Sequence, residues 1–539
     1  MAGAGNEADI VVIGAGHNAL IAAGYLARAG LSVIVVEARE MVGGGTVTEE
    51  LTVPGFRHDP FSQGHPFFLT NPVMTADELG IVAHGLRYVG NDPILVIPFP
   101  DGESITFWRD PQRTAAELAR FSPKDGAAFL ALHEENADFV PLQMAQFVNP
   151  PDRVPAPADP AAAARYRALG TRSARDVVYE RFESEHARDF MLWFPLSVTQ
   201  PWDAAGTGLM PLLAPARWAQ GWPAVVGGSG MLAEALADAV RRAGGRIVTG
   251  ARVRRIRIDA GRVDAVECEN GLVFRARRAI VTSTHYVGLP QLVDAKLPEA
   301  FVAGTKTWRA GPSLFVVHLA LPRNHRIRTH DGSVAGVLAG QSNHHAVARQ
   351  LVDLREGRLT LESPWMLCGC SSLIDPSRAP EGRGTAKVLT NVPYDLDGDP
   401  ANWTETAKNE YADFLVAEYA KLVVGFEPGD ELGRAVHSPV DIERINPTFH
   451  RGHAQGGELV PEQMGLNRPV KGWGTYRMPV PGLYLTGLSS HPGGPVTGWS
   501  GRHAARAVLE DLQIDWRRVM PTEGDSGTFE IPIVDTTTL

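Results

Sequence analysis

Cysteine is scarce. Three residues in 539 (Cys268, Cys368 and Cys370) cannot build a disulfide framework, and their scarcity fits a reducing compartment. Basic charge is short as well: 51 Lys and Arg face 61 Asp and Glu, for a formal net charge of −10. Nucleic acid needs a basic stripe, so it is not an expected partner. Long apolar runs are missing, and the longest, around Ser313–Leu321, is about half a membrane span. The first nine residues have neither the basic segment nor the apolar core of a secretory signal. The expectation is a cytoplasmic enzyme, with peripheral membrane contact left open. Metal spacing is absent too. Among 17 histidines, His344-His345 are adjacent and would face different ways on a strand, with no zinc-type framework beside them, so no metal is expected.

Glycine and proline are in excess. Gly (56) and Pro (40) make up about 18% of the chain, above the usual ~12% and below the ~25–30% of low-complexity sequence. With 44% apolar and 21% charged residues this is a folded chain, long enough for several domains or one two-lobed enzyme. Its glycines should therefore cluster at particular turns.

The first cluster follows the β-branched run Asp9–Ile13. Gly14-Ala-Gly16-His17-Asn18-Ala19 opens a helical pattern with Ala19, Ala22, Ala23, Leu26 and Ala27 on one face, and Gly30 ends it. A second strand, Ser32–Val36, runs into Glu37. Gly14 permits the tight turn and Gly16 the approach of a pyrophosphate, while Ala19 keeps helix and strand close. The helix N-terminus offers free N–H groups to phosphate. Glu37, 23 residues after Gly14, can accept from ribose hydroxyls and disfavours a 2′-phosphate, which leaves NAD or FAD. A second turn, Gly43-Gly44-Gly45-Thr46, comes directly after Glu37-Ala38-Arg39 and favours the longer flavin dinucleotide.

At these residues the sequence resembles the flavin amine oxidase and phytoene desaturase superfamily, with its GxGxxG and E-A-R-x-x-x-G-G signature. Val480–Gly498, which contains Gly487, His491, Gly493-Gly494-Pro495-Val496 and Thr497, resembles the C-terminal segment of phytoene dehydrogenase-related oxidoreductases. Gly452–Pro469 is similar to the branch typified by the pyridine nucleotide-disulphide oxidoreductase domain-containing protein 2. Ala19 and Pro495 stand where that pattern has glycine. The resemblance implies an α/β fold in which a Rossmann-like FAD domain (1–115, 222–290 and 435–520) is interleaved with an α+β substrate lobe (116–221 and 291–434), followed by a tail at 521–539. Motif and resemblance together assign FAD contacts to Gly14, Gly16, His17, Asn18, Ala19, Glu37, Ala38, Arg39, Gly43, Gly44, Gly45, Thr46, Val253, Gly487, Pro495, Val496 and Thr497. The helix after the last glycines would direct its positive end at the flavin.

A second turn-and-helix match, Gly228-Ser-Gly230, is not taken as a nicotinamide site, because the strand Arg246–Val253 carries no acid for a ribose. Arg252–Asp259, Arg262–Cys268 and Leu272–Phe274 alternate like a meander that ends at Ala279–Thr282. Residues 115–220 are helix-rich, with a Pro/Ala loop at 149–160. A strand is expected at Leu314–Leu321 and a helix near Thr404–Val424. Trp193, Phe194, Trp202, Met210, Trp218, Trp222, Trp308 and Trp365 could line an apolar tunnel, although core packing suits any one of them better. Cys368-Gly-Cys370 lacks the spacing of flavin disulphide reductases and reads as free thiols. His65, His491 and Asp59 lie in or beside glycine turns and are the proton-transfer candidates, each with a plain hydrogen-bonding role as the alternative.

The expected reaction is hydride transfer between flavin N5 and a C–H or C=C group of a lipophilic, terpenoid or polyene-like substrate. The electron acceptor is open between oxygen, a quinone and a redox protein. An amine or amino-acid oxidase, which needs an aromatic cage or a carboxylate-binding arginine, is the alternative. A flavin hydroxylase fits less well, since Gly487–His491 lacks its Gly-Asp-Ala-type motif. A non-catalytic FAD-retaining protein is the third possibility.

Overall fold

The computed structural model describes residues 5–216, 221–337, 340, 343–522 and 533–535. Met1–Ala4 and Trp218 lie outside the described residues. The elements that carry the site are, in chain order, β1 (Glu7–Ile13), α1 (His17–Arg28), β2 (Val33–Val36), α2 (Glu185–Leu196), α3 (Gly230–Arg242) and β3 (Arg246–Val248). Then come β4 (Val253–Asp259), β5 (Arg262–Cys268), β6 (Val273–Thr282), β7 (Ser313–Leu321), α4 (His344–Arg355) and β8 (Met366–Gly369). The last are β9 (Gly384–Val392), β10 (Gly433–His437), α5 (Pro439–Ile445), β11 (Leu483–Leu485) and α6 (Trp499–Asp511).

The fold is α/β. Strands pair in the order β3-β2-β1-β6-β5-β4, with β11 on β6. Contacts among β3, β2, β1, β6 and β11 are parallel, whereas β6, β5 and β4 form an antiparallel meander. The continuous apolar runs of β1 and β2 are what a parallel sheet buried on both faces requires. Alternation divides them: Ile10, Val12, Val33 and Val35 join the core built on α1, α3 and α6. Val11, Ile13, Ile34 and Val36 enter the core on the opposite face. The meander ends in one ten-residue strand, β6, rather than in separate pieces, because its second half continues between β1 and β11.

A second sheet, β8-β9-β7-β10, is antiparallel throughout. The expected unit boundaries shift here. Residues 94–115, read as part of the nucleotide unit, bury Leu95, Ile105 and Phe107 in one core with Phe190, Trp193 and Trp365. β10 spans the expected break at 435 and pairs with β7. The expected tail contains Ile533–Asp535, which adds in parallel to the edge strand Tyr88–Gly90 and so pairs its open backbone groups. Among the described residues no helix is long and apolar enough to cross a membrane.

Candidate active site

The two glycine turns meet backbone to backbone. Gly43 N–H donates to Ala15 O at 2.8 Å, and Gly16 and Gly43 form an isolated parallel bridge. A Cβ on Gly44 would lie 3.0 Å from the Gly16 Cα, and Gly44 has a positive φ of 59°, so this position needs the small residue. Gly16 begins α1 with extended backbone (φ −71°, ψ 160°) and no side-chain cap, and the first turn holds no acid. The helix N–H groups therefore open onto a cavity of about 710 Å³.

Fourteen of the seventeen expected cofactor contacts line this cavity: Gly14, Gly16, His17, Asn18, Ala19, Glu37, Ala38, Arg39, Gly44, Gly45, Val253, Gly487, Pro495 and Val496. Three do not. Gly43 serves the bridge, and the Thr46 hydroxyl closes that turn by donating to Gly43 O at 2.8 Å. Thr497 accepts from Trp499 N–H and, through its carbonyl, from Asn71. The start of α6 is likewise held by protein: Gly501 N–H donates to the Asn18 side chain at 3.2 Å. Gly494–Val496, ahead of the helix, form the wall there instead of the helix end.

Glu37 is 8% exposed, and its two oxygens accept the N–H groups of Ala15 (2.7 Å) and Arg39 (2.8 Å). Each oxygen keeps a further lone pair for a ribose hydroxyl. Four cavity-wall side chains hold buried polar atoms with no protein partner among the described residues: Arg39 Nη1, Gln63 Oε1, His285 Nε2 and Gln455 Oε1. Orphans of this kind call for a polar occupant. Together with the uncapped helix start, they fit a dinucleotide.

The three proton-transfer candidates lie off the cavity wall. His65 is fully buried between the hydroxyls of Tyr88 (3.3 Å) and Ser229 (3.1 Å), and burial brings its pKa down to about 3. His491 contacts Gln146 O at 2.6 Å, and burial lowers it to about 4. Asp59 forms an ion pair with Arg378 (2.9 Å), both side chains 2% exposed. The geometry gives all three structural partners.

Sequence reasoning missed three further polar groups of the cavity lining. Lys387, on β9, has its Nζ 3.0 Å from Asp59 O and bonds Phe61 O as well. Burial, with Arg378 nearby, lowers it to about 8. A lysine inside Gly384–Val392, an otherwise uncharged strand, was the available signal. Glu443 and His450 also line the cavity and lie 2.8 Å apart. Burial raises the Glu443 pKa, but hydrogen bonds from His450 and Tyr394 outweigh it and hold the group at about 2. Of the aromatic candidates Trp222 reaches the wall, while Trp193, Phe194, Trp202 and Trp365 pack in the core. Met210 packs against that core, and Trp308 is half-buried, donating to Gly456 O.

A family model described as flavin containing amine oxidoreductase matches residues 20–509. The chain belongs to this family. It is an FAD-dependent oxidoreductase, and FAD is its cofactor. The flavoprotein is 29% identical over 94% of both chains to the pyridine nucleotide-disulfide oxidoreductase domain-containing protein 2 of Rattus norvegicus. It is 28% identical to a limonene dehydrogenase chain of Castellaniella defragrans, covering 94% of this chain and 96% of that one. A phytoene desaturase (lycopene-forming) of Pantoea ananas is 27% identical, covering 93% and 99%. At the second glycine turn, Ser229 and Gly230 donate their N–H groups to Asp59 and Thr48, so the flavoprotein itself fills that helix start. Cys268, Cys368 and Cys370 are free and buried.

Proposed function

We propose that this flavoprotein dehydrogenates a lipophilic, terpenoid or polyene-like molecule at a C–H or C=C group. The observation that carries the proposal is one part of the cavity lining. Leu314, Val316, Leu367, Leu389, Ile442 and Phe449 make it apolar, and no tyrosine is among the described lining residues. When bound, the flavin supplies the hydride acceptor. The chain's own residues supply position and exclusion of water. Glu37 and the α1 N–H groups hold the dinucleotide, and the apolar wall holds the substrate by contact alone.

Aromatic faces line the cavity at Phe61, Phe67, Trp222 and Phe449, so what an alkylammonium substrate would lack is a carboxylate not already engaged. Glu443 is already engaged by His450 and Tyr394, and the Lys387 ammonium, elsewhere in the lining of the same cavity, repels a cation. The names of the limonene dehydrogenase and phytoene desaturase relatives support the same substrate class. Anaerobic bleaching of the bound flavin by terpenoids, polyenes and amines tests the proposal. Bleaching by terpenes or polyenes is expected. Bleaching by amines alone would overturn it in favour of an amine oxidase, and bleaching by none would favour a binding role.

A further inference from the structure

Away from the flavin cavity, the starts of α2 and α4 bring three ligand-type side chains together. Rather than facing different ways on a strand, His344 and His345 occupy the first turn of a helix with ring centroids 4.1 Å apart. From Oε2 of Glu185, Nε2 of His344 is 3.4 Å away and Nε2 of His345 2.7 Å. The three ligand atoms all lie within 4.8 Å of one another.

His344 is the decisive member. Its side chain is 2% exposed, and its buried Nε2 has no hydrogen-bond partner among the described residues. Its other ring nitrogen bonds Oδ1 of Asp189 at 2.5 Å, and that oxygen also accepts the His344 N–H at 2.6 Å. A carboxylate on one imidazole nitrogen fixes the ring and makes the opposite nitrogen a better metal ligand. Arg188 holds Oε1 of Glu185 at 2.9 Å, which leaves Oε2 for ligation.

We propose that Glu185, His344 and His345 bind a divalent transition metal of the zinc class, with Asp189 as the positioning residue. The metal clamps the start of α4 onto α2. Two imidazoles and a carboxylate suit zinc, and water completes a tetrahedron. Zn–N bonds of about 2.0–2.1 Å place tetrahedral ligands about 3.3 Å apart. The His344 nitrogen already stands near that spacing from Glu185 Oε2, and the 2.7 Å contact to His345, whose side chain is exposed, opens by about 0.6 Å as the metal replaces a hydrogen bond. The residues after α2, Ser197–Thr199, line the flavin cavity, so the clamp braces a wall of the site without touching it.

The test uses the full-length, FAD-loaded enzyme, stripped with a chelator, desalted and titrated with zinc chloride. Metal content after gel filtration and the unfolding temperature are the readouts. One zinc per chain and a raised Tm are expected. His345→Gln alters a side chain that is 66% exposed, so the fold should survive it while zinc affinity falls at least about tenfold. Asp189→Asn, which keeps an acceptor but loses the charge, should cost about 10–100-fold. No zinc retained above the stripped background would overturn the proposal. Unchanged affinity in the Glu185→Gln/His345→Gln double variant would overturn it as well.

Discussion

Oδ1 of Asp59 accepts the backbone N–H of Ser229 at 3.1 Å, placing a carboxylate of the chain at the N-terminus of α3. The same oxygen takes the Thr48 hydroxyl at 2.6 Å, while Oδ2 meets Arg378. Two glycine turns therefore lead into helices that meet different anions. At α1 the helix start has no side-chain cap and faces the cavity. At α3 it is closed by Asp59, and no phosphate can use it.

Gly16→Asp should convert the first arrangement into the second. Gly16 already has a φ that any residue adopts, and an added Cβ there has nothing nearer than Gly44 Cα at 3.8 Å. Aspartate is a good N-cap, so the apoprotein should keep its stability to within a few tenths of a kcal/mol. FAD should be lost, read as the ratio of flavin to protein absorbance. A variant that elutes fully yellow would refute the cofactor assignment. Gly14→Ala should fail in the opposite way: φ is +91° and its Cβ would lie 2.2 Å from Ser283 Oγ, so the fold itself should weaken by more than about 1 kcal/mol.

Removing one partner of the Asp59–Arg378 pair strands a buried charge. Arg378→Met should destabilise the protein by about 3–5 kcal/mol in denaturant unfolding. A loss of below about 1 kcal/mol would show the pair to be solvated.

Acid should unfold this protein well before its carboxylates protonate. Burial brings His65 and His453 to about 3, and His58 and His491 to about 4, from 6.5. Below pH 6.5 the unfolded chain binds protons that the folded chain refuses, so stability falls as pH drops toward 4. Each such group contributes up to ~1.4 kcal/mol per pH unit. Unfolding free energies at pH 7, 6 and 5 check this, and a flat profile would contradict it.

Lys387 carries the same sign at the other end of the scale. Its folded pKa of about 8 lies below its ordinary 10.5. Between those values the unfolded chain keeps a proton that the folded chain has released, so stability rises with pH. The stability difference between wild type and Lys387→Met should grow across pH 8–10.5, and a constant difference would refute the shift.

Sequence by itself determined what is local. β1 and β2 follow from continuous β-branched runs and α1 from an apolar period of 3.6, and the turns between them require glycine whatever the rest of the chain does. Together with Glu37 they make the dinucleotide half of the site legible. Tertiary structure decided what each polar side chain meets. Asp59, His65 and His491 sit in or beside glycine turns and read as reactive, yet the chain returns Arg378, Ser229 and Gln146 to them from far along the sequence. Lys387 reaches the cavity because β9 pairs with β7, and His344 meets Glu185 only where two helix starts converge. Backbone preference acts over a few residues, whereas ionisation and ligation depend on neighbours that only the folded chain brings within a few ångström.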